Sequence, residues 1–220
     1  MITKEGFLIR PLEKRDREQV REIFRQGGQR GNPLASYIED EEIILRPLVD
    51  YYIDHEPECC VVAEAEGKVV AFALGTKNNR RYNRIILTRY IPKLIARVIW
   101  RTLTLRYRTR KNYVVIWWFL TRAWREIPEA PFDKYPGGLH LTLSNEYRGY
   151  RLGRQLINAM DKMFRRYGLP GAHGVVVEEA HRNVFSRTLD VDLLETKRTT
   201  LWRHCSSDEW DFKLLSRTFN

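Results

Sequence analysis

The sequence predicts a single α/β (α+β) domain over residues 1–220, and three observations support this fold class. The chain has 220 residues, 43% of them hydrophobic, which is enough for one sizeable core. Strand-like and helix-like segments follow one another in the order β-α-α-β-β, a basic segment, then β-α-β-α-β-β. Internal repeats and low-complexity tracts are absent from the sequence. Such an order predicts helices that flank one sheet.

The first half of the chain is predicted to contain a strand, two helices and a hairpin. GFLIRP (6–11) has the composition of a short strand, and residues 13–26 have apolar side chains at helical spacing. The glycine cluster QGGQRGNP (26–33) follows a helix, so it predicts a mobile connector and not a nucleotide-binding loop. A second helical region fills residues 34–55. Residues 59–76 contain two β-rich runs around AEGK, which predicts a hairpin.

The second half of the chain alternates between strands and helices. GLHLTLS (138–144) predicts a strand with leucines on one face. Residues 151–167 carry a long apolar stripe at helical spacing, and 168–179 turn into another strand. A short helix is predicted over 181–189, and a closing hairpin over 193–219.

Positive charge is concentrated in one segment. The net charge is +10, yet residues 77–125 contain 14 Lys and Arg and no Asp or Glu. The remainder therefore has 38 − 14 = 24 basic against 28 acidic residues, a net charge of −4. A protein that binds nucleic acid nonspecifically would spread its positive charge more widely, so we do not expect a nucleic-acid partner.

Other features of the sequence indicate a cytoplasmic protein without metal. The longest apolar run, YVVIWWFL (113–120), is far shorter than the roughly 20 residues of a membrane-spanning helix. The N-terminus lacks the pattern of a secretion signal. Cys59, Cys60 and Cys205 have the spacing of neither a disulfide framework nor a zinc site, and the histidines lack metal-ligand spacing. We therefore expect no metal.

Residues 138–167 are predicted to form a strand–loop–helix unit, and the stretch SNEYRGYRLGRQLI (144–157) lies at its centre. The first turn of a helix has backbone N–H groups without partners and the positive end of the helix dipole, so it suits an anion such as pyrophosphate. Arg148, Arg151 and Arg154 add positive charge there. From the loop alone, an anion-binding loop and an ordinary arginine-rich helix start are equally well supported.

The same loop, in this order of elements, resembles the GNAT superfamily of acyl-CoA-dependent N-acetyltransferases. Their acetyl-CoA loop follows Q/R-x-x-G-x-G/A, often seen as Y-R-G-x-G-x-G before a helix. Tyr147, Arg148, Gly149, Leu152 and Gly153 agree with that pattern, whereas Arg151 replaces the inner glycine. The stretch YPGGLHLTLSNEYRGYRLGRQLI is similar to a GNAT branch with an inserted helical segment before it. The turn and strand GLPGAHGVVV also agree with the family.

The resemblance implies a GNAT fold: a mixed, mostly antiparallel sheet flanked by helices and splayed at the strands that bind CoA. It implies acetyl transfer from acetyl-CoA to a small amine that the sequence does not identify. An asparagine beside the CoA arm is implied at Asn183. The implied cofactor-binding residues are Leu141, Leu143, Arg148, Gly149, Tyr150, Arg151, Leu152, Gly153, Arg154 and Asn183.

Arg151 is the main departure from the family pattern, and it leaves two alternatives open. With a negative φ, a side chain at this position costs little, and its guanidinium could bind a phosphate oxygen. If the loop must instead approach the phosphate closely, the side chain blocks the site. We favour binding of acetyl-CoA.

The catalytic groups are less clear, because the carboxylate and tyrosine that the family often uses are both absent. His140 lies opposite the leucines of its strand and is a candidate base, with a pKa near the free value of about 6.5. Asp190 stands seven residues after Asn183, where the family has a tyrosine acid. A histidine with a structural role, a solvated aspartate, and proton loss through water or Glu178 remain alternatives. Backbone N–H groups of Leu141 or Leu143 could polarise the thioester carbonyl.

The basic insertion, about residues 77–133, is predicted to be helical. Its apolar stripe contains Ile91, Leu94, Ile95, Val98, Ile99 and Leu103, and its cation row contains Arg89, Lys93, Arg97 and Arg101 at i, i+4 spacing. Partners for the cations include CoA phosphates, an acidic acceptor, an anionic membrane or the acidic remainder of the chain. We expect the stripe to pack on the core and the cations to be solvated. The alternative function is a non-catalytic module that binds an anionic ligand or surface through residues 77–125, and homodimer formation stays open.

Overall fold

The computed structural model describes residues 6–27, 32–148, 151–180 and 182–219. Within them, seven strands form one sheet in the order β1-β2-β3-β4-β5-β7-β6. Neighbouring strands are antiparallel except for β4 and β5, which are parallel. The sheet is therefore mixed and mostly antiparallel, as expected. The strands are β1 (Leu8–Pro11), β2 (Cys60–Ala65), β3 (Lys68–Thr76), β4 (Gly137–Leu143), β5 (Gly171–Glu179), β6 (Asp192–Thr199) and β7 (Trp210–Thr218).

Helices flank both faces of this sheet. π-helical turns join the second helix to the third and the fourth to the fifth, so residues 42–55 and 79–103 are continuous helical segments. The basic insertion between β3 and β4 is helical, as predicted. The helices of the described residues are α1 (Arg17–Gln26), α2 (Glu42–Leu45), α3 (Tyr51–His55), α4 (Asn79–Ile85), α5 (Ile91–Leu103), α6 (Lys111–Thr121), α7 (Ala123–Glu126), α8 (Leu152–Arg166) and α9 (Val184–Leu189).

Two apolar clusters cover the two faces of the sheet. On one face, α1 and the α2–α3 segment pack against side chains such as Val62 and Phe72. On the other face, α8 covers Val61 and Ala63. Successive residues of a strand point to opposite faces, which explains why Val61 and Val62 enter different clusters. The apolar stripe predicted for residues 151–167 is confirmed, because its members are buried against the sheet: Leu152, Leu156, Ile157, Met160 and Phe164.

Gly75 on β3 allows α8 to lie close to the sheet. A Cβ at this position would stand 2.4 Å from the methyl carbon of Met160, 2.9 Å from the Phe164 ring and 2.7 Å from the carbonyl oxygen of Cys59. The last contact is with backbone, which cannot move cheaply. A glycine is therefore required at this position by close packing.

Two of the four residues in the cation row, Arg97 and Arg101, face the protein, so the expectation that the cations are solvated is wrong for these two, whereas Arg89 and Lys93 are exposed. Arg97 Nη2 lies 2.8 Å from Asp40 Oδ1, and Arg101 Nε lies 3.4 Å from Asp40 Oδ2. The Asp40 side chain is only 2% exposed. Tyr107 donates a further hydrogen bond to this carboxylate at 2.9 Å. Of the partners considered for the cations, the acidic remainder of the chain is the one found for Arg97 and Arg101.

Three of the six residues in the apolar stripe of α5 are exposed. Leu94 is buried, but Ile95, Ile99 and Leu103 are exposed, Leu103 to 77%. A buried carboxylate needs a paired cation, because an unpaired one carries a large desolvation penalty. The arginines that pair with Asp40 therefore occupy the inner side of α5, and aliphatic residues remain outside.

Candidate active site

The sheet opens between β4 and β5. These parallel strands pair only at Gly137 with Ala172 and at Gly138 with His173. Beyond these pairs, β4 continues to residue 143 and β5 to residue 179 without facing each other. A Cβ on Gly174 would lie 2.8 Å from the carbonyl oxygen of Leu139, so the strands still touch where they begin to separate. The splay implied by the resemblance is present.

Backbone donors of β4 face this opening. Along a strand, the N–H and C=O groups of successive residues alternate between the two neighbouring strands. The N–H of Ser144 donates to β3 at 3.0 Å, whereas the carbonyl oxygen of Leu139 lies toward Gly174 of β5. The N–H groups of Leu141 and Leu143 therefore point toward β5, and no strand of the described residues pairs with them there. Both were predicted as donors to a thioester carbonyl.

The N-terminus of α8 lies beside the opening. The helix has 15 residues and its first turn has no acidic residue. A Cβ on Gly153 would lie 3.5 Å from the Leu141 side chain and 3.4 Å from that of Leu189. At Gly153 the first turn of α8 therefore packs closely against side chains of β4 and α9. The N–H groups of residues 152–154 have no intrahelical acceptor, because only from Gln155 onward does an N–H donate into the helix, to Arg151 O at 3.2 Å.

Arg151 is the N-cap of α8 and adopts a left-handed conformation, with φ of 54° and ψ of 12°. The structure thus contradicts the alternative in which this residue has a negative φ. A residue with a Cβ in this region costs about 1 kcal/mol relative to glycine. The glycine of the family pattern is the residue that this backbone favours, and the chain carries the strain of an arginine instead.

Two of the predicted site residues form an ion pair at this point. Arg154 Nη2 lies 3.2 Å from Asp190 Oδ2, and both side chains are exposed. Asp190, the residue that directly follows α9, is also left-handed, with φ of 58°. The structure therefore brings the predicted acid beside α8, where it pairs with Arg154. Arg148, which precedes α8 in the chain, is exposed. Gly149 and Tyr150 lie outside the described residues.

The side chain of His140 lies on the face of β4 that α1 covers, which is opposite to the face that packs against α8. Its ring is 5.4 Å from the ring of Phe24. The Nε2 atom is buried and has no hydrogen-bond partner among the described residues. Burial lowers the pKa of His140 to about 4. The expected ionisation near 6.5 is therefore wrong, and His140 is neutral but weakly basic at neutral pH.

Asn183 is exposed but contacts a buried ion pair, Lys213 with Glu178, that could not be recognised from the sequence motifs. Its side-chain oxygen accepts a hydrogen bond from Lys213 Nζ at 2.9 Å, and the same ammonium lies 3.0 Å from Glu178 Oε2. The other oxygen of Glu178 accepts the N–H groups of Val184 and Phe185 at 2.9 Å each. This carboxylate thus caps the N-terminus of α9 and pairs with Lys213. The sequence signal for this ion pair was a lysine, Lys213, inside the apolar strand WDFKLLS.

A metal centre finds no support in the described part of the chain. No group of three or more His, Cys, Asp or Glu side chains is arranged to hold an ion there. His173 instead donates a hydrogen bond from Nδ1 to the Tyr135 carbonyl at 2.9 Å, and its Nε2 accepts one from the Asn79 amide at 2.7 Å. His181 is outside the described residues.

Solved structures resemble this chain over nearly its whole length, although no protein-family model and no curated protein matches its sequence. SsHAT superposes with a TM-score of 0.67 at 18% identity, over 96% of this chain and 98% of its own. The polyamine N-acetyltransferase of Drosophila melanogaster, which forms N-acetylagmatine, gives 0.57 at 17% identity, over 97% and 100%. A putative acetyltransferase of Salmonella typhimurium, solved with its cofactor acetyl-CoA, gives 0.52 at 13% identity, over 97% and 94%.

The chain has the GNAT fold. The order of the strands, the opening between β4 and β5 and the helix that starts beside it agree with the fold that the loop motif implied. At these identities the likeness concerns the fold, and activity must be argued from the site.

Proposed function

We propose that the chain is an acetyl-CoA-dependent N-acetyltransferase that acts on a small amine by direct acetyl transfer. The observation that carries this proposal is the opening between β4 and β5, with unpaired backbone donors on one side and the N-terminus of α8 beside it. Likeness in fold to N-acetyltransferases of polyamines and agmatine supports the reaction and the class of acceptor.

The first turn of α8 is the proposed holder of the pyrophosphate. Backbone N–H groups of Leu152, Gly153 and Arg154 have no intrahelical acceptor, and the helix dipole adds positive potential. Arg148 and Arg151 are exposed at the same end of the helix and add charge. Arg154 pairs with Asp190 through Nη2, and this exposed pair is weak, so the guanidinium can also contact phosphate.

The backbone N–H donors of β4 are proposed to form the oxyanion hole of the site. Bound acetyl-CoA would supply the acetyl group as an activated thioester. The N–H groups of Leu141 and Leu143 face the opening and would stabilise the negative charge that develops on the carbonyl oxygen. These donors are fixed by the strand, so they need no reorganisation during the reaction.

Proton removal is proposed to depend mainly on water. The structure gives His140 a pKa of about 4, too low for efficient removal of a proton from an ammonium group. Both oxygens of Glu178 are hydrogen-bonded. We therefore favour loss of the amine proton to solvent before the attack, with the positioning of the two reactants supplying much of the rate. His140 as a base and Asp190 as an acid stay predictions, to be tested by substitution.

The proposal is tested by incubating the protein with acetyl-CoA and separate amines, agmatine and spermidine among them, and measuring release of the CoA thiol and the mass of the product. Release that requires both protein and amine, with an acetylated product, is the expected result. Acetyl-CoA without amine is the control for hydrolysis. Acetyl-CoA binding without amine-dependent release for any of the amines would instead favour a non-catalytic acyl-CoA-binding module.

A further inference from the structure

Helix α6 carries apolar side chains on all sides but is covered on only one. Asn112, Val115 and Trp118 are buried against the rest of the chain. On the opposite side, which continues into α7, Trp117 is 65% exposed, Leu120 70% and Trp124 68%. A helix that is apolar all round is normally buried all round. We call the exposed side the aromatic face, and define it as Tyr113, Trp117, Leu120 and Trp124.

The aromatic face is held firmly and is not a frayed helix end. Asn112 Oδ1 accepts the N–H groups of Glu39 and Asp40 at 3.1 and 2.9 Å. At the other end, Trp118 Nε1 donates to Glu126 Oε2 at 2.7 Å, and the same carboxylate accepts the N–H of Thr200 at 2.6 Å. Both ends of α6 are thus fixed to other parts of the fold, so exposure of the aromatic face is a property of the native state.

A shallow apolar groove runs along this face. It is lined by Arg110, Tyr113, Val114, Ile116, Trp117 and Leu120. Contiguous exposed apolar surface of this kind marks an interaction site. Proteins that bind single-stranded nucleic acid use aromatic side chains to stack on the bases, and aliphatic side chains cannot do so. The mixture of aliphatic and aromatic residues in this groove therefore favours contact with the apolar layer of a membrane.

Two cations flank the aromatic face. Arg110 lines the groove at the start of α6, and Arg125 stacks on the Trp124 ring with 4.4 Å between its guanidinium carbon and the centroid. Residues 77–125 contain no acidic residue. In a symmetric dimer formed through this face, the cations of one copy would meet those of the other. An anionic lipid surface supplies both an apolar layer for the aromatic residues and negative charge for the arginines.

We propose that the aromatic face docks the protein on the surface of an anionic lipid bilayer, with Trp117, Leu120 and Trp124 in the interfacial layer. Among the described residues, every helix is too short or too polar to cross a bilayer, so the association is interfacial. The inference does not depend on acetyl transfer.

The experiment measures co-sedimentation of the protein with phosphatidylcholine vesicles that contain phosphatidylglycerol, and with pure phosphatidylcholine vesicles. The wild-type protein should bind the anionic vesicles, with a blue shift of tryptophan emission, and should lose binding in high salt. The double variant Trp117→Gln, Trp124→Gln should bind about tenfold more weakly or worse. The double variant Arg110→Gln, Arg125→Gln should also weaken binding.

Matched variants elsewhere on the surface are the controls. Leu193→Gln with Leu194→Gln changes two exposed apolar residues of β6, and Lys162→Gln with Arg166→Gln removes two charges from α8. Both controls should bind as the wild type does. Failure of the wild type to bind anionic vesicles, or equal losses in test and control variants, would overturn the proposal. So would a dimer, or a complex with single-stranded nucleic acid, that requires the aromatic face while vesicles are not bound.

Discussion

Arg97 on α5 holds the buried carboxylate of Asp40 with two of its nitrogens, Nε at 2.9 Å and Nη2 at 2.8 Å. Burial alone would raise the pKa of Asp40, but hydrogen bonds from Arg97 and Tyr107 outweigh it and keep the pKa below its ordinary value. The basic insertion is therefore attached to the fold by charge, and its cations are not all available to an external partner.

The first prediction is that Arg97→Leu destabilises the protein by about 3 kcal/mol, because it leaves a buried carboxylate with one fewer partner. Lys93→Leu, on an exposed position of the same helix, should change the free energy of unfolding by no more than about 0.5 kcal/mol. Urea denaturation measures both variants. Equal stability of the two would show that the pair with Asp40 contributes nothing.

The pH dependence of this pair has a definite sign. The folded-state pKa of Asp40 lies below the unfolded-state value of about 3.9, so the unfolded chain takes up this proton first as the pH falls. The stabilisation is full above that value and is lost as the pH falls below it. In Arg97→Leu, the acid-dependent loss of stability should be smaller than in the wild type.

The second prediction concerns packing between β3 and α8. Gly75→Ala should destabilise the protein by about 1–3 kcal/mol, because its Cβ meets the Cys59 carbonyl at 2.7 Å as well as two side chains. Gly153→Ala is the matched control, since its Cβ would make contacts no closer than 3.4 Å. Thermal unfolding compares the two variants, and a Gly75→Ala protein as stable as the control would contradict the close packing.

The third prediction concerns His140. Its folded-state pKa of about 4 lies below the unfolded-state value of about 6.5, so the unfolded chain binds the proton more readily between these values. His140 should therefore lower stability as the pH falls from about 6.5 toward 4. His140→Leu should remove this part of the pH dependence and leave that of His173. A variant whose stability falls with pH as steeply as that of the wild type would show that His140 is not desolvated.

The fourth prediction concerns Arg151. Arg151→Gly should relieve the left-handed strain and stabilise the protein by up to about 1 kcal/mol. Acetyl-CoA affinity should be kept or increased, because the phosphate is proposed to bind backbone groups. A clear loss of affinity in calorimetry would instead assign the phosphate contact to the guanidinium.

Much of the fold could be predicted from the sequence because its signals are local. Apolar spacing in residues 151–167 located α8, and the loop motif with the order of elements indicated the GNAT fold. The orientation of α5 could not be predicted in this way. Its apolar stripe and cation row are equally clear in sequence, and the decision between them depends on Asp40, more than fifty residues away from Arg97.

The site shows the same division between local and distant signals. The strand–loop–helix unit placed Leu141, Leu143 and Gly153 together, because they are close in sequence. The contact between Arg154 and Asp190, and that between Asn183 and Lys213, depend on how β5, α9 and β7 pack. An arginine gives no signal of positive φ, so the only signal of the left-handed conformation of Arg151 was the glycine that the family pattern has at this position.

The central claim is tested most directly by calorimetric titration with acetyl-CoA of the wild type, Gly153→Ala and Gly153→Pro. Alanine keeps the backbone N–H of the first turn of α8, whereas proline removes it at a place where the helix itself does not use it. Thermal unfolding checks that all three proteins are folded. We predict saturable binding to the wild type and the alanine variant, and clearly weaker binding to the proline variant. No heat and no thermal shift of the wild type at millimolar acetyl-CoA would contradict the account.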